Sequence, residues 1–275
     1  MDAQDLLRNF QERVLERRGA RLRVFESGTG PPLLLVHGYG GAAWNFDELA
    51  SLLPGRRLIV PDLPGHGGSS PLPAAANLAG FADVLAPLLD EPADVLGHSL
   101  GGVVALRLAE RHPRLLRRVL LAAAAAISSS TRMAEITITL AGVVRPARVA
   151  GRRVDRITAS RRLRRLVFEP YEVANAEALS ARAVHGFLRG SLLHTDALGA
   201  GLALVRDDPR RSLDHVRCPV LVLWGARDRQ VPLEDAFEYA RRLRAPLRVI
   251  ADCGHLLIGE RPDVVARAAT EFFGR

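Results

Sequence analysis

Gly97-His98-Ser99-Leu100-Gly101-Gly102 constrains this chain more than any other stretch, because it sets a serine between two glycines where a strand-like run meets a helix-like one. Upstream, Ala93-Asp94-Val95-Leu96 reads as a short buried strand, and downstream Leu100 to Arg111 carries Leu, Val and Ala at helical spacing and closes before Pro113. Strand, turn and helix in that order make a nucleophile elbow, in which a tight turn lifts the serine hydroxyl off the sheet. Side chains at 97 and 101 would collide with the turn, so glycine stands there. A serine hydroxyl is a weak nucleophile at neutral pH and needs a base, with an acid to orient it. The first N–H groups of the helix have no intrahelical partner and carry its positive end, so Leu100 N–H points where an oxyanion would form. The plainer alternative for Ser99 is a helix N-cap.

Two downstream segments offer the base and the acid. Val220 to Gly225 reads as a buried parallel strand, and the loop after it places Asp228 just past its C-terminal end. Leu247 to Ala251 is a further strand candidate, followed by Asp252-Cys253-Gly254-His255 and a final helix from about Pro262 to Phe273. Active sites of open α/β sheets gather at that edge, and the chain order Ser, Asp, His is the one such an architecture uses. Asp228 has a rival role as a cap for the helix that starts near Pro232. Of the other histidines, His37, His66 and His98 sit inside the motifs quoted next, while His112, His185, His194 and His215 read as solvated or core residues.

With the elbow, the segments Leu33-Leu34-Leu35-Val36-His37-Gly38-Tyr39-Gly40-Gly41, Pro61-Asp62-Leu63-Pro64-Gly65-His66-Gly67, Trp224-Gly225-Ala226-Arg227-Asp228 and Gly254-His255, with Glu260-Arg261-Pro262 behind, resemble the α/β-hydrolase fold superfamily in its capped esterase and lipase-like branch. The resemblance spans roughly residues 20 to 127 and 213 to 275. It implies an α/β fold with a mostly parallel central sheet flanked by helices, and a helical cap inserted after strand 6. The implied division is a core of residues 1–127 and 209–275 and a cap of 128–208. Residue by residue, it implies Ser99 as nucleophile, His255 as general base and then acid, and Asp228 as the orienting carboxylate. Backbone N–H groups of Tyr39 and Leu100 are the implied oxyanion hole, Gly40 being the less favoured alternative to Tyr39.

The chemistry so implied is carboxylic-ester hydrolysis through an acyl-enzyme on Ser99, on a small-molecule acyl substrate, with no cofactor and no metal. Lipases, thioesterases, lactonases, carbon–carbon bond hydrolases, cofactor-free haloperoxidases and acyltransferases share the triad, so the resemblance leaves the substrate open. Dehalogenases and epoxide hydrolases carry Asp where Ser99 stands and are disfavoured. A ligand-binding protein on a hydrolase scaffold is the non-enzymatic alternative, and it would be expected to lack a triad member.

The 275 residues suffice for one α/β domain with an insertion, and 48% hydrophobic against 5% aromatic residues points to a Leu, Val and Ala core. No apolar run is long enough to span a bilayer, and no secretory h-region opens the chain. Two cysteines, Cys218 and Cys253, fit a reducing cytoplasm. Cys253 is a small loop residue or a reactive thiol beside His255. Met1 to Arg18 reads as an amphipathic helix with Leu6, Leu7, Phe10, Val14 and Leu15 on one side.

The middle of the chain matches nothing specific. It is helical in pattern, and Met133, Ile136, Ile138, Leu140, Phe168, Phe187 and Leu188 either line an apolar acyl pocket or hold the cap's own helices together, the latter being favoured. From Arg145 to Arg165 nine arginines face one acid, Asp155, and this accounts for nearly all of the net +8 charge. A solvated face is the leading reading, since every basic residue of the chain is arginine. Anionic substrates, an anionic membrane surface and an acidic partner such as an acyl carrier protein are the functional ones. Nucleic acid is disfavoured, as no binding motif or interleaved aromatics accompany the charge.

Overall fold

The computed structural model describes residues 6–128, 146–170 and 172–274. Strands β1 (Gln11–Arg17), β2 (Ala20–Ser27), β3 (Pro32–Val36), β4 (Arg57–Pro61), β5 (Ala93–His98), β6 (Leu116–Ala122), β7 (Val220–Gly225) and β8 (Leu247–Ile250) form one eight-stranded sheet in the order β1-β2-β4-β3-β5-β6-β7-β8. β1, β2 and β4 pair antiparallel, and from β4 through β3 to β8 the pairing is parallel. The strands β3, β5 and β7 are buried along their whole length, as parallel strands covered on both faces must be. Helices α1 (Asp47–Ser51), α2 (Leu78–Leu85) and α3 (Leu100–Arg111) precede a group inserted between β6 and β7, comprising α4 (Pro146–Gly151), α5 (Val154–Ala159), α6 (Arg161–Phe168), α7 (Ala181–Arg189) and α8 (Ala197–Arg206). After β7 come α9 (Leu233–Leu243), α10 (Leu257–Glu260) and α11 (Pro262–Phe273).

Connectivity decides where the site forms. The chain leaves β3 for β4 on one side and leaves β5 for β6 on the other, so the strand order reverses between β3 and β5. At such a switch point neighbouring loops part and leave a crevice at the strands' C-terminal ends. Val36 pairs with Gly97, so the turn after β3 and the elbow after β5 rise side by side. Register carries the same edge outward through His98 with Ala122, Ala122 with Leu223, and Gly225 with Ile250.

The N-terminal segment departs from the helix read from its apolar spacing. Residues 11–17 are the antiparallel edge strand β1, because Arg18 and Gly19 both adopt positive φ (+49° and +77°) and turn the chain into a two-residue hairpin with β2. Leu6 and Leu7 are buried ahead of that strand and Phe10 and Leu15 pack on the core, whereas Val14 faces outward. The apolar residues that mimic a helical stripe thus belong to two different local structures.

The inserted helices carry a small core of their own. Val154, Ile157, Phe168, Val173, Leu179, Val184 and Leu188 bury against one another and against Leu256 of the β8 loop. Phe168 and Leu188 therefore hold the insertion together, and Phe187 packs over Gly259, where an added Cβ would meet its ring at 2.3 Å. Met133, Ile136, Ile138, Leu140 and Arg145 lie outside the described residues.

Candidate active site

Ser99 sits at φ +54° and ψ −119°, a region a non-glycine residue occupies only at a cost of about 1–3 kcal/mol. The surroundings over-determine it. Ser99 N–H donates to Ala122 C=O at 2.9 Å, and Ser99 C=O accepts from Gly102 and Ala125 N–H at 2.9 and 3.2 Å. A Cβ on Gly97 would lie 2.3 Å from Gly101 O, and one on Gly101 would lie 2.1 Å from Val36 O. Those contacts are with backbone, which has nowhere to retreat. The Ser99 side chain makes no capping hydrogen bond to α3, so the N-cap alternative finds no support in the geometry.

Asp228 and His255 meet on the same edge. His255 Nδ1 donates to Asp228 Oδ2 at 2.8 Å, and the Asp228 side chain is wholly buried. Asp228 Oδ1 accepts from Gln230 and Val231 N–H, both at 2.8 Å, so the carboxylate is held by its own loop rather than spent on capping α9, whose N-cap is Pro232. His98, next to Ser99, donates from Nε2 to His255 C=O at 2.9 Å, and the two rings lie 5.0 Å apart between centroids. Serine and histidine are thereby brought to one place by adjacent backbones. Among the described residues no hydrogen bond joins Ser99 Oγ to the His255 ring, a contact that in substrate-free enzymes often tightens only when substrate binds.

Glu260 braces the His255 loop from behind. Its Oε2 accepts from Gly254 N–H at 2.7 Å and Ala174 N–H at 3.2 Å, and its Oε1 accepts from Asn175 N–H at 2.8 Å. The histidine loop and the insertion are thus tied through one buried carboxylate. Glu172, on the same part of the insertion, accepts from Gln230 Nε2 at 3.2 Å, and its C=O accepts from Leu256 N–H at 2.8 Å. Burial pushes the Glu172 carboxyl above its ordinary pKa. Cys253 is buried and its thiol is pushed up by desolvation first and Glu260 second, which removes the reactive-thiol alternative.

The turn after β3 supplies Tyr39. Gly41 N–H closes it on Gly38 C=O at 3.1 Å, and an added Cβ on Gly38 would come within 3.0 Å of Ser99 Cβ, so this turn lies directly over the elbow. Gly40 N–H is already given to His66 Nε2 at 3.1 Å, which takes away the alternative donor. Among the described residues no acceptor takes the N–H of Tyr39 or Leu100.

A buried polar shell that the sequence does not disclose supports this turn. Asp62 is buried and accepts from Ala43 N–H at 2.7 Å through Oδ1, and from Arg23 Nε at 2.6 Å and Gly68 N–H at 2.8 Å through Oδ2. His37 accepts from Leu63 N–H at 2.9 Å and donates to Gly38 C=O at 2.8 Å, so its proton is on Nδ1. Burial lowers its pKa to about 4, and that of His98 to about 3.

Comparison with known proteins bears on the fold and the family. A model of the alpha/beta hydrolase family matches residues 33–268. The chain belongs to that family. It is 36% identical over 252 residues, covering 85% of this chain and 94% of the relative, to the pimeloyl-[acyl-carrier protein] methyl ester esterase of Aromatoleum aromaticum. It is 32% identical over 254 residues to the 2-hydroxymuconate semialdehyde hydrolase of a Pseudomonas species, covering 86% of this chain and 84% of that one. Among solved structures, a thermophilic esterase from Thermogutta terrifontis superposes with a TM-score of 0.73 at 26% identity, covering 96% of this chain and 98% of that one.

Proposed function

We propose that the protein is a serine hydrolase of carboxylic esters, with Ser99 as nucleophile, His255 as general base and then acid, and Asp228 as the group that orients the imidazole. The reading is carried by one observation: a strained serine, locked through its backbone, shares a sheet edge with a histidine whose Nδ1–H is bonded to a buried carboxylate. That bond leaves Nε2 as the base. In the proposed cycle Ser99 Oγ attacks the ester carbonyl and passes its proton to His255 Nε2. The tetrahedral oxyanion is held by the N–H groups of Tyr39 and Leu100. His255 then protonates the leaving alcohol, and water, deprotonated by the same ring, releases the acid. The helices inserted between β6 and β7 serve as a cap over this edge, and a reducing cytoplasm suits the two free cysteines.

The test is hydrolysis of p-nitrophenyl esters of graded chain length by the wild type and by Ser99→Ala, Asp228→Asn and His255→Ala. Activity in the wild type and its loss in all three supports the reading. Equal inactivity of wild type and Ser99→Ala on every ester and lactone would favour a ligand-binding scaffold instead.

A second reading concerns delivery of the substrate. Arg152, Arg153, Arg156, Arg161, Arg162 and Arg165 are exposed on α5, α6 and the turn before them, as are the apolar Leu163 and Leu166 of α6. A basic face of this kind suits an acyl group borne by an acidic carrier protein, which accords with the methyl ester esterases among the relatives.

A further inference from the structure

The Gly38–Gly41 turn is gripped by histidines from two distant parts of the chain. Gly40, its third residue, has φ of +69°, a backbone that suits glycine there. In a four-residue turn the central peptide has the least restraint, because the closing hydrogen bond spans it without touching it. Here that peptide's donor, Gly40 N–H, is held by His66 Nε2 at 3.1 Å. The next carbonyl, Gly40 C=O, accepts from His194 Nε2 at 2.8 Å, and His194 Nδ1 accepts from Gly67 N–H at 3.0 Å. His66 donates in turn from Nδ1 to Pro64 C=O at 3.2 Å. Each ring uses one nitrogen to donate and one to accept, the pattern of a neutral imidazole, and the two rings meet edge-on with centroids 5.1 Å apart. Burial lowers the pKa of both.

His66 belongs to the loop after β4, but His194 comes from the insertion, on the connection between α7 and α8. That connection is docked on the same loop: Thr195 and Asp196 N–H both donate to Gly65 C=O at 3.0 Å, and Thr195 Oγ1 donates to Ser69 C=O at 3.1 Å. We infer that His194 is a positioning residue for the oxyanion turn, through which the inserted helices set the direction of Tyr39 N–H. This rests on the esterase reading and deepens it, since it makes the oxyanion hole depend on docking of the insertion. Without the ring, Gly40 C=O loses its donor and Gly67 N–H its acceptor, and the turn relaxes. The oxyanion exists only in the tetrahedral state, so the loss falls on kcat and leaves KM alone.

The experiment compares kcat and KM on p-nitrophenyl butyrate for the wild type, His194→Ala, His194→Asn and His194→Gln, with Ser99→Ala as control. Glutamine brings an amide N–H near the Nε2 position, whereas asparagine reaches only the Nδ1 position. His194→Ala and His194→Asn are expected to lower kcat by about 30- to 100-fold with KM within about threefold, and His194→Gln to recover to within about fivefold of wild type. Binding of butylboronic acid, which forms a tetrahedral adduct on the serine, is expected to weaken in step with kcat, while butyrate affinity stays unchanged. An unchanged kcat, a loss confined to KM, or a glutamine variant as slow as the asparagine one overturns the role of His194. Activity that survives Ser99→Ala overturns the esterase reading itself, and the role of His194 with it. Should His194→Ala fail to fold, the asparagine and glutamine pair carries the same comparison.

Discussion

The edge of the sheet and the helices inserted between β6 and β7 solve opposite physical problems. At the edge, a strained serine, a paired histidine and a carboxylate with every oxygen engaged are fixed by strand register and by glycines whose neighbours are backbone atoms. In the insertion, α5 and α6 bury one narrow side and turn arginines outward, with Leu166 72% exposed. Positions with no freedom suit bond making, which tolerates errors of well under an ångström. Positions with freedom suit selection among substrates and partners, where surface charge and shape change cheaply. The two regions meet through specific polar contacts, among them the Arg182 pair with Asp47, the Asn45 side chain on Gly186 C=O at 3.0 Å, the Glu260 bonds to Ala174 and Asn175 N–H, and the His194 clamp.

The largest effects separate the regions most sharply. Ser99→Ala and His255→Ala are each expected to lower kcat/KM on a simple aryl ester by about 10⁴-fold or more, and Asp228→Asn by about 10⁴-fold, with steady-state assays as the check. Should Asp228→Asn keep full activity, the buried carboxylate merely shapes its loop. Next comes acid sensitivity of the core. His37 and His98 stay neutral in the fold while their unfolded forms take up protons below about pH 6.5, so stability falls as pH drops from there toward the native values of about 4 and about 3. At pH 5 each costs about 2 kcal/mol relative to pH 8, read from urea midpoints. Glu172 and Asp235, raised by burial, act in the opposite sense. A flat profile between pH 8 and pH 5 would contradict the buried neutral rings.

Smaller effects test the same contrast. Gly101→Ala would drive a methyl to 2.1 Å from Val36 O and is expected to cost about 3 kcal/mol or more, whereas Gly199→Ala in α8 meets only the movable end of Asp196 and costs about 1 kcal/mol. Equal thermal shifts for the two would erase the distinction between a rigid edge and a yielding insertion. The smallest effect belongs to the arginine face. Reversing Arg161, Arg162 and Arg165 to Glu is expected to leave kcat/KM on p-nitrophenyl butyrate within about twofold. On a carrier-protein-borne ester it should lower kcat/KM by about tenfold, an effect that shrinks as salt is added. Identical responses on both substrates would return this face to plain solvation.

Much of the edge was legible in the chain. The elbow helix runs over Leu100–Arg111 and the last helix over Pro262–Phe273 as their spacing and their flanking prolines indicate, and Val220–Gly225 is a strand throughout. Local signals sufficed because each of these elements is bounded by a glycine, a proline or a change of period. The segment up to Arg18 was misleading, since Leu6, Leu7, Phe10, Val14 and Leu15 mimic a helical stripe while the turn at Arg18-Gly19 makes residues 11–17 a strand. The bracing roles of Asp62, Glu260 and His194 escaped for another reason. Their partners are 6 to 154 residues away, almost all backbone N–H and C=O groups, and backbone groups leave no mark in a sequence. His194 had the least chance of all, as the segment around it matches no pattern.

The central claim is that Ser99 carries the acyl group, and pre-steady-state mixing with p-nitrophenyl acetate followed by acid quench and peptide mass spectrometry tests it most directly. The account expects a burst of p-nitrophenol equal to one per chain, with the acetyl group on the peptide that contains Ser99 and no adduct in Ser99→Ala. Turnover without a burst and without an adduct on Ser99, or an acetyl group carried by another residue in the active wild type, would contradict it.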